Sequence, residues 1–137
     1  RLIEIFNKDN SIVEKEDTKV FGKTKGKVEF SHVSFAYPGS TEKVLDDITF
    51  VSEKGTTTAF IGSTGSGKST LVNLIPRFFD VTSGTILVDD VDIKDVSLAS
   101  LREKIGYVPQ KGNLFSGTIE SNVMFGLDKP NLNNLKK

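Results

Sequence analysis

At 137 residues the chain has room for one domain with a modest core and not for two. Its 18 basic and 18 acidic side chains cancel, so charge gives no argument for nucleic acid or an anionic membrane as partner. The lack of cysteine and the single histidine, His32, exclude disulfides, thiol nucleophiles, Cys-based zinc sites and a His-rich metal centre, and they fit a reducing compartment.

The chain opens on Arg1 rather than Met and reads as part of something longer. No apolar run approaches the ~18 residues that span a bilayer, and no signal-peptide core is visible, so the piece is expected to be soluble. Residues 1–26 are polar and lysine-rich after a short amphipathic start (Leu2, Ile3, Ile5, Phe6), as in a frayed helix end followed by a linker. Val28 and Phe30 alternate with polar residues, and then Val33, Phe35 and Tyr37 alternate in the opposite phase. That pattern predicts a strand with a bulge near Ser31–His32, ended by a turn at Pro38-Gly39-Ser40.

A second strand is predicted over 47–52, and Thr57–Ile61 reads as a short buried strand bounded by Gly55 and Gly62. After a glycine-dense loop, Leu71, Leu74, Ile75 and Phe78 recur at helical spacing within 68–79, where Pro76 should kink or end the helix. Residues 85–89 and 91–93 predict a hairpin around Asp89-Asp90. Ser97 is a good N-cap for a short helix to about Lys104. Ile105–Pro109 reads as another short strand, and Thr118 caps a last helix that Gly126 should stop.

The chemistry sits in Gly62-Ser63-Thr64-Gly65-Ser66-Gly67-Lys68-Ser69, which satisfies G-x-x-x-x-G-K-S/T in full. Glycines let the backbone turn tightly and bring its N–H groups close to phosphate oxygens. The following helix points its N-terminal amides at the same anion. Lys68 supplies a compact positive charge for the β- and γ-phosphates, and Ser69 offers a hydroxyl to Mg²⁺, which keeps most of its waters.

The loop alone does not separate kinases, GTPases, helicases and transporters, but other segments do. Phe35-Ala36-Tyr37-Pro38 resembles the aromatic A-loop of ATP-binding cassette (ABC) proteins. Ile105-Gly106-Tyr107-Val108-Pro109-Gln110 resembles their Q-loop. Leu114-Phe115-Ser116-Gly117-Thr118-Ile119, with Asn122 behind it, resembles the stretch after the Q-loop in exporter-type cassettes. Thr82–Ile86 and Asp92-Ile93 follow the family's pattern as well, so the resemblance runs from about Val28 to Gly126. Arg1–Phe6 looks like the end of the last membrane helix, where an exporter runs on into its cassette.

The resemblance implies an α/β fold: a P-loop NTPase with a RecA-like core and an ABC-type antiparallel β subdomain, cut off before the signature motif and Walker B. Residues 1–26 are then a linker from a transmembrane domain, and 27–137 the N-terminal part of the nucleotide-binding domain. It implies ATP bound by Gly62, Ser63, Thr64, Gly65, Ser66, Gly67, Lys68, Ser69 and Thr70, with adenine stacked on Tyr37. It also implies Mg²⁺ held by Ser69 and Gln110, and a sensor role for Gln110 in turnover. Base stacking tolerates different bases, and by itself it predicts that Tyr37→Phe is nearly silent. In the intact parent, ATP hydrolysis would power export at the cytoplasmic face of the cell membrane. The partners would be transmembrane domains and a second nucleotide-binding domain, with no nucleic acid.

Ile86–Asp90 mimics a Walker B strand, but it follows the loop helix too early and leads straight into another strand, so it is read as a hairpin. His32 is read as a polar-face strand residue rather than the family's switch histidine. Leu-Ser-Gly-Gly-Gln, a downstream Walker B with its adjacent glutamate and the switch histidine are expected beyond these residues, together with the strands that flank the phosphate-loop strand. A nucleotide-binding module without turnover is the alternative reading, and another phosphate-loop enzyme such as a kinase is a third.

Overall fold

A computed structural model describes residues 12–126. Two compact units divide between Gly106 and Tyr107, and each is described by itself.

The first unit is built on a four-stranded antiparallel sheet in the order β2-β1-β3-β4. Its strands are β1 (Val28–Phe35), β2 (Leu45–Ser52), β3 (Ser83–Val88) and β4 (Val91–Asp92). The phase change read in β1 is a true bulge. Pairing with β2 slips between Phe30 and Val33, and His32 sits there at φ 50°. The slip puts Phe30, Val33 and Phe35 all inside, against Leu45, Ile86 and Val88. Phe30 stacks on Phe50 with ring centroids 4.7 Å apart. The His32 ring stays outside, its Nδ1 2.7 Å from Asp47 Oδ1.

The β3–β4 hairpin turns on Asp89 and Asp90, both left-handed at φ 50° and 67°. Two such residues make the turn whose twist matches antiparallel strands, and Asp tolerates that region better than most residues. Helix α1 (Lys68–Leu74) buries Leu71 and Leu74 in the core. Pro76 follows α1, as its missing N–H requires. Helix α2 (Leu98–Glu103) starts on Ser97, whose hydroxyl accepts from the Ser100 N–H.

From residue 12 on, the lead-in expected to be a linker lies along this unit. Lys19 forms a parallel bridge with Val96, donating to the Asp95 carbonyl at 2.9 Å and accepting from the Ser97 N–H at 3.1 Å. Phe21 enters the core. The N–H groups of Lys25 and Lys27 donate to the Asp89 carboxylate at 2.6 and 2.9 Å, and that of Gly26 at 3.3 Å. The predicted helix end at residues 2–6 lies outside the described residues.

Two predicted strands do not form. Thr57–Ile61 has no ladder partner, and Ile61 is 97% exposed. A buried strand exists only with a neighbour to take its N–H and C=O groups, and no such neighbour lies among the described residues. Residues 105–109 form no strand either, for the same reason.

In the second unit, α3 (Ile119–Val123) starts on Thr118 in a capping box with Ser121. The Asn122 amide holds the Phe115 backbone from both sides, accepting its N–H at 2.7 Å and donating to its carbonyl at 3.0 Å. Phe115 stacks on Phe125 at 4.6 Å.

Candidate functional site: the phosphate loop and its aromatic neighbour

The loop closes on itself before any ligand is considered. Ser66 N–H donates to the Ser63 carbonyl at 3.3 Å, turning the chain over Thr64-Gly65, and Gly65 takes φ 85°. Gly67 caps α1 in the left-handed region at φ 84°. A Cβ on Gly67 would come within 2.9 Å of Leu45 Cδ2 and 3.0 Å of the Val44 carbonyl oxygen, so this glycine is required by both conformation and space.

Lys68 folds back across the loop. Its Nζ donates to the carbonyls of Gly62 at 2.9 Å and Ser63 at 2.6 Å, and to Ser66 Oγ at 3.1 Å. All three N–H bonds of the ammonium therefore point at the concave rim where the loop's own oxygens gather. A phosphate oxygen in that position would replace neutral acceptors with an anion and so add ion-pair attraction to bonds that the ammonium already makes charge-assisted.

Ser69 lies next to Lys68 in the first turn of α1 and is exposed. No group of three or more His, Asp or Glu side chains that could hold a metal exists among the described residues. The Ser69 hydroxyl could be the one protein ligand of an ion that arrives on phosphate oxygens and keeps several waters. Those are the habits of Mg²⁺. The Mg²⁺ would neutralise charge developing on the phosphates, and Ser69 would hold it.

Tyr37 follows β1 at the same end of the unit. Its ring meets Phe35 and Phe79 edge-on, at centroid distances of 4.9 and 5.3 Å. Its hydroxyl lies 2.9 Å from Thr70 Oγ1 on α1. The residue is 37% exposed, so it covers the core and still offers surface to a flat partner. Thr70 is among the ATP-binding residues that the family resemblance implies, but its bond to Tyr37 has no local signal, because nothing local links residues so far apart in the chain. Gln110 is exposed in the second unit, and its part in the site rests on the sequence alone.

The Walker B look-alike is a hairpin, as read. Asp89 serves the backbone of Lys25–Lys27, and Asp90 accepts from Lys27 Nζ at 2.7 Å. Burial pushes the Asp89 carboxyl up, but the backbone N–H bonds outweigh it and hold it below its ordinary value.

A glycine loop that gathers its own lysine and runs into a helix bearing serine and threonine defines a phosphate-loop nucleotide-binding domain. The chain belongs to the ABC transporter family, whose pattern matches residues 45–136. It is 48% identical over 134 residues to the heavy metal tolerance protein of Schizosaccharomyces pombe, a match covering 98% of this chain and 16% of that protein. The structure of a bacterial Atm1-family ABC exporter with ATP bound superposes with a TM-score of 0.86 at 31% identity, covering 93% of this chain and 22% of that one. The chain thus spans under a quarter of either relative's length. Its fold is that of the P-loop NTPases with the antiparallel β subdomain of ABC proteins, the subdomain being the sheet β2-β1-β3-β4.

Proposed function

We propose that this chain binds Mg-ATP through Gly62–Ser69 and Thr70, with adenine on Tyr37 and Mg²⁺ on Ser69. In the whole protein, Gln110 completes the metal site and senses nucleotide state. There the chain works as part of an ATPase that powers export, at the cytoplasmic face of a membrane. Residues 1–26 lead in from a transmembrane domain, and residues 27–137 form the front of a nucleotide-binding domain that pairs with a second one.

The observation that carries this reading is the Lys68 ammonium held on Gly62, Ser63 and Ser66, a cation already gathered where a phosphate would sit. The exporter solved with ATP bound supports the choice of nucleotide. Calorimetric titration with Mg-ATP tests it. Lys68→Ala removes a charge-assisted contact of about 1.5–3 kcal/mol, so affinity should fall at least about tenfold. Unchanged affinity would remove the loop from the site. A second reading, binding without turnover by this chain on its own, is favoured by the commitment of Asp89 and Asp90 to the lead-in and its lysine.

A further inference from the structure

We propose that Thr70 is a positioning residue for the nucleobase, acting through the Tyr37 hydroxyl, so that one hydrogen bond ties the base platform to the helix that carries the phosphate loop. The proposal rests on the reading of Tyr37 as that platform.

Three contacts to the Tyr37 ring stand out among the described residues. Phe35 and Phe79 meet it edge-on, at interplanar angles of 79° and 88°. Such contacts set the depth of a ring but let it slide and rock, because they are apolar and weakly directional. The third contact is directional: Tyr37 Oη lies 2.9 Å from Thr70 Oγ1, at the end of the ring farthest from the backbone. Thr70 is well placed to be the fixed member of the pair. It is 7% exposed, it sits in the first turn of α1 two positions beyond Lys68, and as a β-branched residue it has few rotamers in a helix. A threonine hydroxyl in a helix commonly bonds back to the preceding turn. Here it reaches across to another segment.

Stacking needs a ring held at one tilt, and the ordering of a loose ring is subtracted from the gain when a base arrives. With the hydroxyl bond in place, much of that ordering is already done. The loop residues that hold phosphate and the ring that holds the base then belong to one piece: Lys68 and Thr70 on α1, with Tyr37 fastened to it. Tyr37→Phe, nearly silent if stacking alone matters, acquires a cost.

The test compares Mg-ATP with inorganic tripolyphosphate, which lacks the base, by calorimetry on the full chain. Thr70→Val and Tyr37→Phe should each weaken Mg-ATP by about threefold to tenfold, the range of one ordinary hydrogen bond. The double variant should be no weaker than Thr70→Val alone, because Tyr37→Phe then has no bond left to remove. Tripolyphosphate affinity should be unchanged in Tyr37→Phe, and Thr70→Ser should restore Mg-ATP affinity. Additive losses in the double variant would mean that Thr70 acts independently of the Tyr37 hydroxyl and would overturn the proposal. Tyr37→Ala separates the two levels. If it weakens Mg-ATP while Thr70→Val and Tyr37→Phe do nothing, the tie fails and stacking stands. If Tyr37→Ala is itself silent, the base does not stack there and both fall.

Discussion

Arg77 closes helix α1 in the left-handed position usually given to glycine, and its guanidinium reaches back to the Val13 carbonyl at 3.2 Å. The closing hydrogen bonds are those of a Schellman motif, Arg77 N–H to Leu74 O at 3.0 Å and Phe78 N–H to Asn73 O at 3.2 Å. Nothing in the backbone asks for arginine there. The side chain does: it is 3% exposed and holds Asp80 through both Nε and Nη2, at 2.6 and 3.2 Å. Arg102 Nη2 in turn donates to the Arg77 carbonyl at 2.9 Å. The end of the phosphate-loop helix, the lead-in and α2 thus meet at one residue.

Two opposed effects at Arg77 make a prediction. Arg77→Ala keeps the left-handed strain and loses the ion pair and the Val13 bond, a loss of about 2 kcal/mol for a pair of which Arg77 is buried and Asp80 a third exposed. Arg77→Gly loses the same contacts but relieves the backbone by about 1 kcal/mol. Urea unfolding should therefore rank wild type above Gly and Gly above Ala. An alanine variant as stable as the glycine one would mean that the backbone strain is not there.

Gly84 offers a second test, because β3 runs past the β1 bulge there. A Cβ on Gly84 would sit 2.2 Å from the His32 carbonyl oxygen and 2.6 Å from that of Ser31, and Gly84 takes φ 82°. Backbone cannot step aside as a side chain can. Gly84→Ala should cost about 3 kcal/mol, strain and overpacking together. Gly39→Ala, at φ 84° in open space, should cost about 1 kcal/mol. Equal melting temperatures for the two variants would remove the close approach.

Much of this was legible in the sequence, for identifiable reasons. The β1 bulge showed as a phase change between Phe30 and Val33, since a strand's two-residue period leaves no other way to bury both. The Asp89-Asp90 turn was readable because aspartate tolerates the left-handed backbone such a turn needs, and the Ser97 and Thr118 caps because each satisfies a backbone N–H three residues on. Thr57–Ile61 was read as a strand from its composition, but pairing depends on neighbours that no local pattern reports. The Tyr37–Thr70 bond and the Arg77–Val13 contact join residues distant in sequence. Arg77 in particular reads as an ordinary surface residue until the fold closes over it.

Acid should act partly through Asp89. A carboxyl held below its ordinary value in the fold contributes stability that is complete above that ordinary value and lost as pH falls through the lowered one. Stability should therefore be level near neutrality and fall below about pH 4. Asp46 and Asp95 are also held low, by hydrogen bonds from Lys43 and Lys15, but these exposed pairs are screened by salt. In high salt the remaining fall should be smaller in Asp89→Asn than in wild type. The same variant should leave Mg-ATP affinity unchanged, because Asp89 serves the lead-in backbone. A shifted Mg²⁺ dependence in Asp89→Asn would restore the Walker B reading that the hairpin argues against.

The last prediction concerns turnover by this 137-residue chain on its own. Hydrolysis needs a water in line with the γ-phosphate, a group to orient or deprotonate that water, and donors around the developing charge. Lys68, Ser69 and the loop amides supply the donors. Asp89 and Asp90 cannot supply the base while one carboxylate accepts backbone N–H bonds from Lys25–Lys27 and the other holds Lys27 Nζ at 2.7 Å. Gln110 carries no charge and takes no proton, so it orients water at best. Loss of a general base typically forfeits on the order of 10²–10⁴ in rate. The chain should therefore bind Mg-ATP, weakly and in a Lys68-dependent way, without steady phosphate release. A malachite-green assay over several hours reads this directly. Release that continues past one equivalent, disappears in Lys68→Ala and survives Asp89→Asn and Asp90→Asn would mean that another residue of this chain activates the water. If it disappears in either aspartate variant as well, the hairpin opens during turnover and its carboxylates are catalytic after all.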